Sequence, residues 1–220
     1  MRGDRGAAPV GCVGWPTDGA AATADYSLQA PRPRGPPRRR RSMKTLIDHL
    51  SQYADYHRDP RNIQTHFVGV PMIMLAVTVL LSRPAWQAAG LLPVSPALVA
   101  ALAASLFYFR LDARYGLAMA TVLAAMLAVG QWLAGQGTAL WLGAGLGLFV
   151  VGWVIQFVGH YYEGRKPAFV DDLVGLIVGP LFVAAEIGFA LGLRREVQAA
   201  VEARSGPVRL NERPGRPARA

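Results

Sequence analysis

The residues best suited to metal chemistry in this sequence are histidines and a carboxylate in two distant stretches. His57 and His66 lie in YADYHRDPRNIQTHFVGVP, and His160 and Glu163 lie in QFVGHYYEGRKP. Imidazole and carboxylate ligands favour iron, manganese or zinc, and such a set with open positions is typical of non-haem iron oxygenases. These two stretches therefore predict a metal site, provided that the fold brings them together.

The composition indicates an integral membrane protein. The chain of 220 residues is 52% hydrophobic and 17% charged, whereas soluble domains are about 25% charged. Most arginines behind the net charge of +9 lie in the two tails, so the expected partner is the lipid bilayer and not nucleic acid. The single cysteine, Cys12, excludes an internal disulfide and a thiolate metal site.

A helix break is expected to bring His57 and His66 together. One face of an amphipathic helix over residues 44–58 holds Leu46, Leu50, Tyr53 and His57. Asp59-Pro60 should end this helix and begin the next, because proline suits the first helical position and disfavours helical geometry in the residue before it. On one unbroken helix the two histidines would point to opposite sides, so the break allows them to converge.

Apolar segments then predict the topology. Four apolar segments follow. The first, Phe67–Leu81, is short for a span and reaches that length only with Ile63–His66, whereas Leu91–Phe109, Tyr115–Leu133 and Leu140–Val158 are each close to the length of a span. Four crossings return the chain to its starting side, so His57, His66 and His160 should lie at one membrane face. Most basic residues of the core flank this face, and Arg83 alone flanks the other. The positive-inside rule makes the histidine face cytoplasmic.

The last apolar stretch, Leu173–Leu193, is interrupted by Gly179-Pro180 and contains Glu186. We expect two half-helices or a re-entrant hairpin here, since broken backbone is tolerated where it is buried in protein. A carboxylate in an apolar segment needs a partner. Glu186 is therefore either a functional residue or a buried structural partner for Arg165, Lys166 or a histidine.

The predicted fold class is all-α. It is a polytopic membrane helical bundle with about four spans, an interfacial N-terminal helix pair and a broken or re-entrant C-terminal segment. Residues 1–42 are expected to be a disordered basic tail or an extension ahead of a start at Met43, since they are rich in proline and arginine. Residues 43–195 form the membrane-embedded domain, and residues 196–220 are expected to be a disordered polar tail.

The first stretch resembles the amino-terminal signature of the membrane 2-hydroxy fatty acid dioxygenases. WVIQFVGHYYEGRKPAFVDDLV and GPLFVAAE are similar to the second and third signatures, so the likeness covers residues 43–195. It implies an iron(II)-dependent dioxygenase that shortens a 2-hydroxy fatty acid by one carbon (α-oxidation). It also implies a place in the bacterial inner membrane, or in the endoplasmic reticulum of a eukaryote. The essential histidines of the family map onto His57, His66 and His160.

The resemblance and the residue chemistry together give the candidate site. The catalytic candidates are His57, His66, His160 and Glu163, of which the histidines are the expected metal ligands. The candidates for substrate binding are Arg58, Asn62, Arg165 and Lys166. Further functional candidates are Gln156, Asp171, Asp172 and Glu186. Asp172 departs from the fungal pattern, which has asparagine at this position.

Two functions from other classes stay open on the sequence alone. A non-catalytic membrane transporter or scaffold could use the histidines and Glu186 as a proton or ion relay. A zinc-dependent lipid hydrolase could use the same metal site.

Overall fold

The computed structural model describes residues 44–86, 94–167 and 174–212. These residues form α-helices, with no strand beyond an isolated bridge between Trp86 and Val94. The helices are α1 Leu46–Ala54, α2 Pro60–Leu81, α3 Pro96–Leu111, α4 Ala113–Ala134, α5 Thr138–Glu163, α6 Gly175–Ala190 and α7 Arg195–Ser205. The described part of the chain therefore confirms the all-α prediction.

Three helices are long and apolar enough to cross a membrane, namely α2, α4 and α5. The helix pair α6 and α7 would make a fourth candidate span, but the two helices are bent by 116° to each other. Helix α3 is apolar but has 16 residues, a length of about 24 Å against a hydrocarbon core of about 30 Å. Three to four candidate spans agree with the predicted polytopic bundle.

The predicted break between the first two helices is present and well capped. Thr45 and Asp48 form a capping box at the start of α1. Asp59 caps α2, where its side chain accepts a hydrogen bond from the backbone N–H of Arg61 at 2.9 Å. Pro60 occupies the first helical position, where its missing N–H costs nothing. Residues 55–59 therefore form a turn between α1 and α2.

Helices α2 and α5 pack closely because glycines on α5 face α2. A Cβ atom on Gly145 would lie 2.5 Å from Leu80 Cδ2, and one on Gly152 would lie 2.7 Å from Ile73 Cγ1. Gly159 continues this row, next to Thr65 of α2. Seven-residue spacing keeps the glycines on one side of α5, so the two helices that carry His66 and His160 are in direct contact.

The C-terminal apolar segment is broken, but not at the predicted place. Helix α6 continues through Gly179-Pro180 and ends at Ala190. Pro180 lies in the second turn, where it removes a single backbone hydrogen bond, and an apolar surrounding favours keeping all the others. The chain instead turns after α6, where Gly192 and Arg194 have positive φ angles of 74° and 53°.

The prediction of a disordered tail from residue 196 onward is wrong for its first part. Helix α7 packs against α1, and its Val197 and Val201 are 4% and 2% exposed. Arg204 also forms an ion pair with Asp48 of α1 at 2.7 Å. This narrow apolar stripe on a mostly polar helix was not recognised in the sequence. The prediction of a tail over residues 1–42 lies outside the described residues, as does the part of the C-terminal prediction that covers residues 213–220.

Candidate metal centre

The side chains of His57, His66 and His160 lie together at one end of the bundle. His57 comes from the turn between α1 and α2, His66 from α2 and His160 from the last turns of α5. The ring centroids are 4.4 Å apart for His57–His66, 5.0 Å for His57–His160 and 5.3 Å for His66–His160. One nitrogen from each ring lies within 4.8 Å of the others. The two distant stretches of the sequence therefore converge, as predicted.

Backbone carbonyl groups orient two of the rings. His57 Nδ1 lies 2.7 Å from the carbonyl oxygen of Tyr53, and His66 Nδ1 lies 2.8 Å from that of Asn62. A carbonyl only accepts, so each Nδ1 carries the proton and each Nε2 has a free lone pair. The ring of Tyr53 also stacks on His57, with centroids 4.1 Å apart and planes 3° from parallel. Metal-binding histidines are commonly held in this way.

The cluster contains buried nitrogen atoms that lack a hydrogen-bond partner. These are His57 Nε2 and His160 Nδ1, and the three histidines are 0%, 2% and 7% exposed in chain order. Burial, with a smaller effect of the neighbouring histidines, lowers the pKa of His57 well below its ordinary value of 6.5. Neutral imidazole is the form that binds metal ions. The donor set and its unpartnered lone pairs therefore fit a divalent metal ion.

Glu163, a catalytic candidate for which a place in the metal shell stayed open, is not part of the histidine group. Its buried carboxylate accepts hydrogen bonds from the backbone N–H of Arg58 at 3.0 Å and of Asp59 at 2.8 Å. It also accepts from Asn62 Nδ2 at 3.1 Å. Arg58 and Asp59 directly follow His57, and Asn62 lies in the first turn of α2. Glu163 therefore fastens the end of α5 to the turn that carries His57.

Two of the residues expected to bind substrate, Asn62 and Arg58, form hydrogen bonds with other groups of the protein. Asn62 is fully buried, and its Nδ2 also donates to the carbonyl of Tyr56 at 3.3 Å. Arg58 donates from Nε to the carbonyl of Ala54 and from Nη1 to that of Gly206, both at 2.9 Å. These contacts make both residues part of the support around His57.

The partner of Glu186 differs from those considered from the sequence. Its carboxylate lies 3.7 Å from Arg58 Nη2, and not against Arg165, Lys166 or a histidine. Arg165 and Lys166 are exposed, and Arg165 donates to the carbonyl of Asp55 at 2.8 Å. Asp171 and Asp172 lie outside the described residues.

Two further residues, Tyr53 and Asn211, contribute to this region and were not among the predicted site residues. Tyr53 was placed on the same helix face as His57, and its four-residue spacing could have predicted both the stacking and the carbonyl contact. Asn211 was assigned to the tail, yet its backbone N–H donates to Asp59 at 2.7 Å and its side chain donates to the carbonyl of Tyr162 at 2.9 Å. No local pattern signals a contact of that sequence separation.

A cavity of about 360 Å³ opens beside the cluster, between α2, α5 and α6. His66 and His160 line it at one end, together with Tyr53 and Gln156. The rest of its lining is apolar or aromatic. This combination of polar groups at one end and apolar walls is typical of a site for a small amphipathic molecule.

Comparison with known proteins decides the family. A family model described as 2-hydroxy-palmitic acid dioxygenase Mpo1-like matches residues 43–191. The chain belongs to the Mpo1-like family. It is also 36% identical over 163 residues to the 2-hydroxy-palmitic acid dioxygenase MPO1 of Saccharomyces cerevisiae, which covers 71% of this chain and 89% of the yeast protein. No solved structure matches the chain. The resemblance stated from the sequence motifs is confirmed.

The Mpo1-like match contains the complete histidine cluster and the residues that line the cavity. It ends at residue 191, so α7 and the segment with Asn211 lie beyond it. The contacts that α7 makes with α1 and that Asn211 makes with Asp59 therefore involve residues outside the matched region.

Proposed function

We propose that this protein is an iron(II)-dependent dioxygenase of 2-hydroxy fatty acids. The observation that carries the proposal is the buried histidine group at the polar end of an apolar cavity. Membership of the Mpo1-like family supports the substrate class, because the yeast relative is named for 2-hydroxy-palmitic acid. The proposed reaction is RCH(OH)COOH + O2 → RCOOH + CO2 + H2O. The bond between C1 and C2 breaks, and the electrons lost by the substrate reduce dioxygen.

The metal would be held by His57, His66 and His160. Two of the nitrogens available for this are the unpartnered His57 Nε2 and His160 Nδ1, and the third is Nε2 of His66. Bound iron would supply the redox chemistry between substrate and dioxygen, which zinc lacks. Three protein ligands leave coordination positions for other molecules.

The surrounding residues would orient the ligands and keep water out. Tyr53 and Asn62 fix the protonated nitrogens of His57 and His66 through their carbonyl groups. Glu163 holds the turn that carries His57. Low exposure of all three histidines limits the access of bulk water to the centre, which favours productive use of dioxygen over side reactions.

We also propose that the site faces the cytoplasm at the membrane surface, in the bacterial inner membrane or, in a eukaryote, in the endoplasmic reticulum. Arg58 and Arg61 lie at the histidine end of α2, and Arg83 lies just beyond its opposite end, which agrees with the positive-inside rule. At the membrane surface, a fatty acid can present its carboxyl end to the histidine group while its acyl chain stays in apolar surroundings.

The test is the metal content and oxygen uptake of the detergent-purified protein. We expect iron in the wild type, with uptake on 2-hydroxypalmitate, and loss of both in the alanine variants of His57, His66 and His160. His49→Ala is the matched control, because this fourth histidine lies on α1 beside Phe107 and outside the cluster. An active, iron-containing His66→Ala protein would contradict the assignment.

Two other outcomes of this experiment would favour the alternative functions. Zinc in place of iron, with release of fatty acid from an ester, would indicate a lipid hydrolase. Proton or ion flux in liposomes without oxygen uptake would indicate a relay. The structure gives the relay less support, because Glu186 pairs with Arg58 and is not among the residues that line the cavity.

A further inference from the structure

The cavity contains a polar side chain that the metal cluster does not use. Gln156 lies on α5, one turn before His160, and is 3% exposed. Both Oε1 and Nε2 of its amide are buried without a hydrogen-bond partner. An unpaired buried amide is costly, and native structures leave few of them. Gln156 is one of the residues that line the cavity, so the cavity is the place from which a bound molecule can reach the amide and satisfy it.

The helix packing makes room for this amide. A Cβ atom on Gly69 of α2 would lie 2.9 Å from Gln156 Nε2 and 3.0 Å from the carbonyl oxygen of Gly152. Any larger residue at position 69 would push the amide away from its present place. The absence of a side chain at position 69 therefore leaves the space between α2 and α5 that the Gln156 amide occupies.

The apolar part of the cavity extends away from the histidines along both helices. On α2 it is lined as far as Val77, and on α5 as far as Phe149. Each of these lies eleven residues from the histidine of its own helix, a distance of about 16 Å along the helix axis. An extended acyl chain advances by about 1.3 Å per carbon for bonds of about 1.5 Å, so about a dozen carbons fit.

We propose that this cavity binds the acyl chain of the substrate and that Gln156 binds its polar end. The inference rests on the proposed function and adds a substrate-positioning residue to it. A glutamine amide both donates and accepts. Its Oε1 accepts from the 2-hydroxyl group, and its Nε2 donates to the carboxylate. His160 is one turn away on the same helix, so this anchor holds C1 and C2 beside the histidine cluster.

The first experiment tests the anchor. Gln156→Leu removes both hydrogen bonds at similar volume. We expect a Kd for 2-hydroxypalmitate about tenfold higher, equivalent to about 1.4 kcal/mol, with the protein as purified and kept without oxygen to prevent turnover. The KM should rise by a similar factor, whereas the iron content should not change. Gln136→Leu is the control, because this half-buried glutamine lies outside the cavity lining and donates to Trp132 at the far end of α4.

The second experiment tests the apolar walls. Val77→Trp adds an indole at a residue that lines the far end of the cavity and is 39% exposed. Val68→Trp adds one on the same helix at a residue that is 53% exposed and outside the lining. We expect Val77→Trp to lower the preference for 2-hydroxypalmitate over 2-hydroxydecanoate at least tenfold in the same binding assay. Val68→Trp should retain the wild-type preference.

The outcomes separate this inference from the proposed function. Unchanged binding in both Gln156→Leu and Val77→Trp, with oxygen uptake by the wild type, would overturn the inference and leave the function standing. The expected binding changes in a protein that consumes no oxygen would support the cavity assignment and contradict the dioxygenase proposal. Equal losses in Val77→Trp and Val68→Trp would also overturn the assignment of the acyl chain to this cavity.

Discussion

Replacing Glu163 with glutamine would test how the end of α5 controls the metal centre. The carboxylate accepts from the backbone N–H groups of Arg58 and Asp59 and from Asn62 Nδ2, and both of its oxygens lie 3.0 Å from the Arg58 nitrogen. A glutamine can present its oxygen to all three donors. Its NH2 group then occupies the position of the second carboxylate oxygen, and an NH2 group cannot accept a hydrogen bond.

The expected change in stability follows from the charge and the hydrogen-bond acceptor that the substitution removes. Glutamine removes the charge and one accepting position, and hydrogen bonds to charged groups contribute about 1.5–3 kcal/mol each. We therefore expect the free energy of unfolding to fall by about 2 kcal/mol. Because the donors belong to the turn that carries His57, iron affinity should fall by about 10- to 100-fold, as for other residues that orient a metal ligand.

The assay is iron retention against a competing chelator, combined with thermal unfolding. Glu196→Gln is the matched control, since its side chain is 69% exposed in an ion pair with Arg194 and such pairs contribute at most about 1 kcal/mol. If Glu163→Gln keeps wild-type iron affinity and stability, the positioning argument is refuted. Complete loss of iron at unchanged stability would instead mean that Glu163 is a metal ligand.

Two further predictions concern the bundle. Gly152→Val should lower the free energy of unfolding by about 1–3 kcal/mol, because its new side chain would force α2 away from α5. Gly147→Val should leave the free energy of unfolding unchanged, since nothing lies within 4 Å of a Cβ at that position. Chemical denaturation in detergent measures both variants. Hydrogen bonding to Arg194 lowers the pKa of Asp112, so this pair stabilises the protein above the ordinary aspartate pKa of about 3.9 and loses its effect as the pH falls through the lowered value. Arg194→Gln should therefore reduce the melting temperature at pH 7 but not below the lowered pKa, and an equal reduction at every pH would contradict this.

The parts of the site that could be predicted from sequence are those that follow from a local helix break, from helical spacing or from the number of apolar segments. The turn before Pro60 and the chain's return after several apolar segments were enough to predict that His57, His66 and His160 meet. The ring orientations are local too, because each carbonyl partner lies four residues before its histidine. Helical periodicity contains this information.

The remaining parts of the site depend on which buried hydrogen-bond donor pairs with which acceptor, between segments that are distant in sequence. Glu163 shares a helix face with His160, so spacing alone favoured a place at the metal. The unpaired N–H groups at the start of α2 compete for the same carboxylate, as helix starts generally do. Arg58 likewise was expected at the substrate carboxylate but pairs with Glu186 and with the carbonyl of Gly206. Sequence spacing does not reveal such competition.

His57 lies in a turn outside any helix, so its position depends on groups that reach the turn from elsewhere. Glu163 binds the turn from α5, and Asn211 binds Asp59 from the segment after α7. Arg58 links the same turn to Gly206, just beyond α7. The segment after α7 therefore supports the turn that carries a predicted metal ligand, although it lies beyond the region matched by the family.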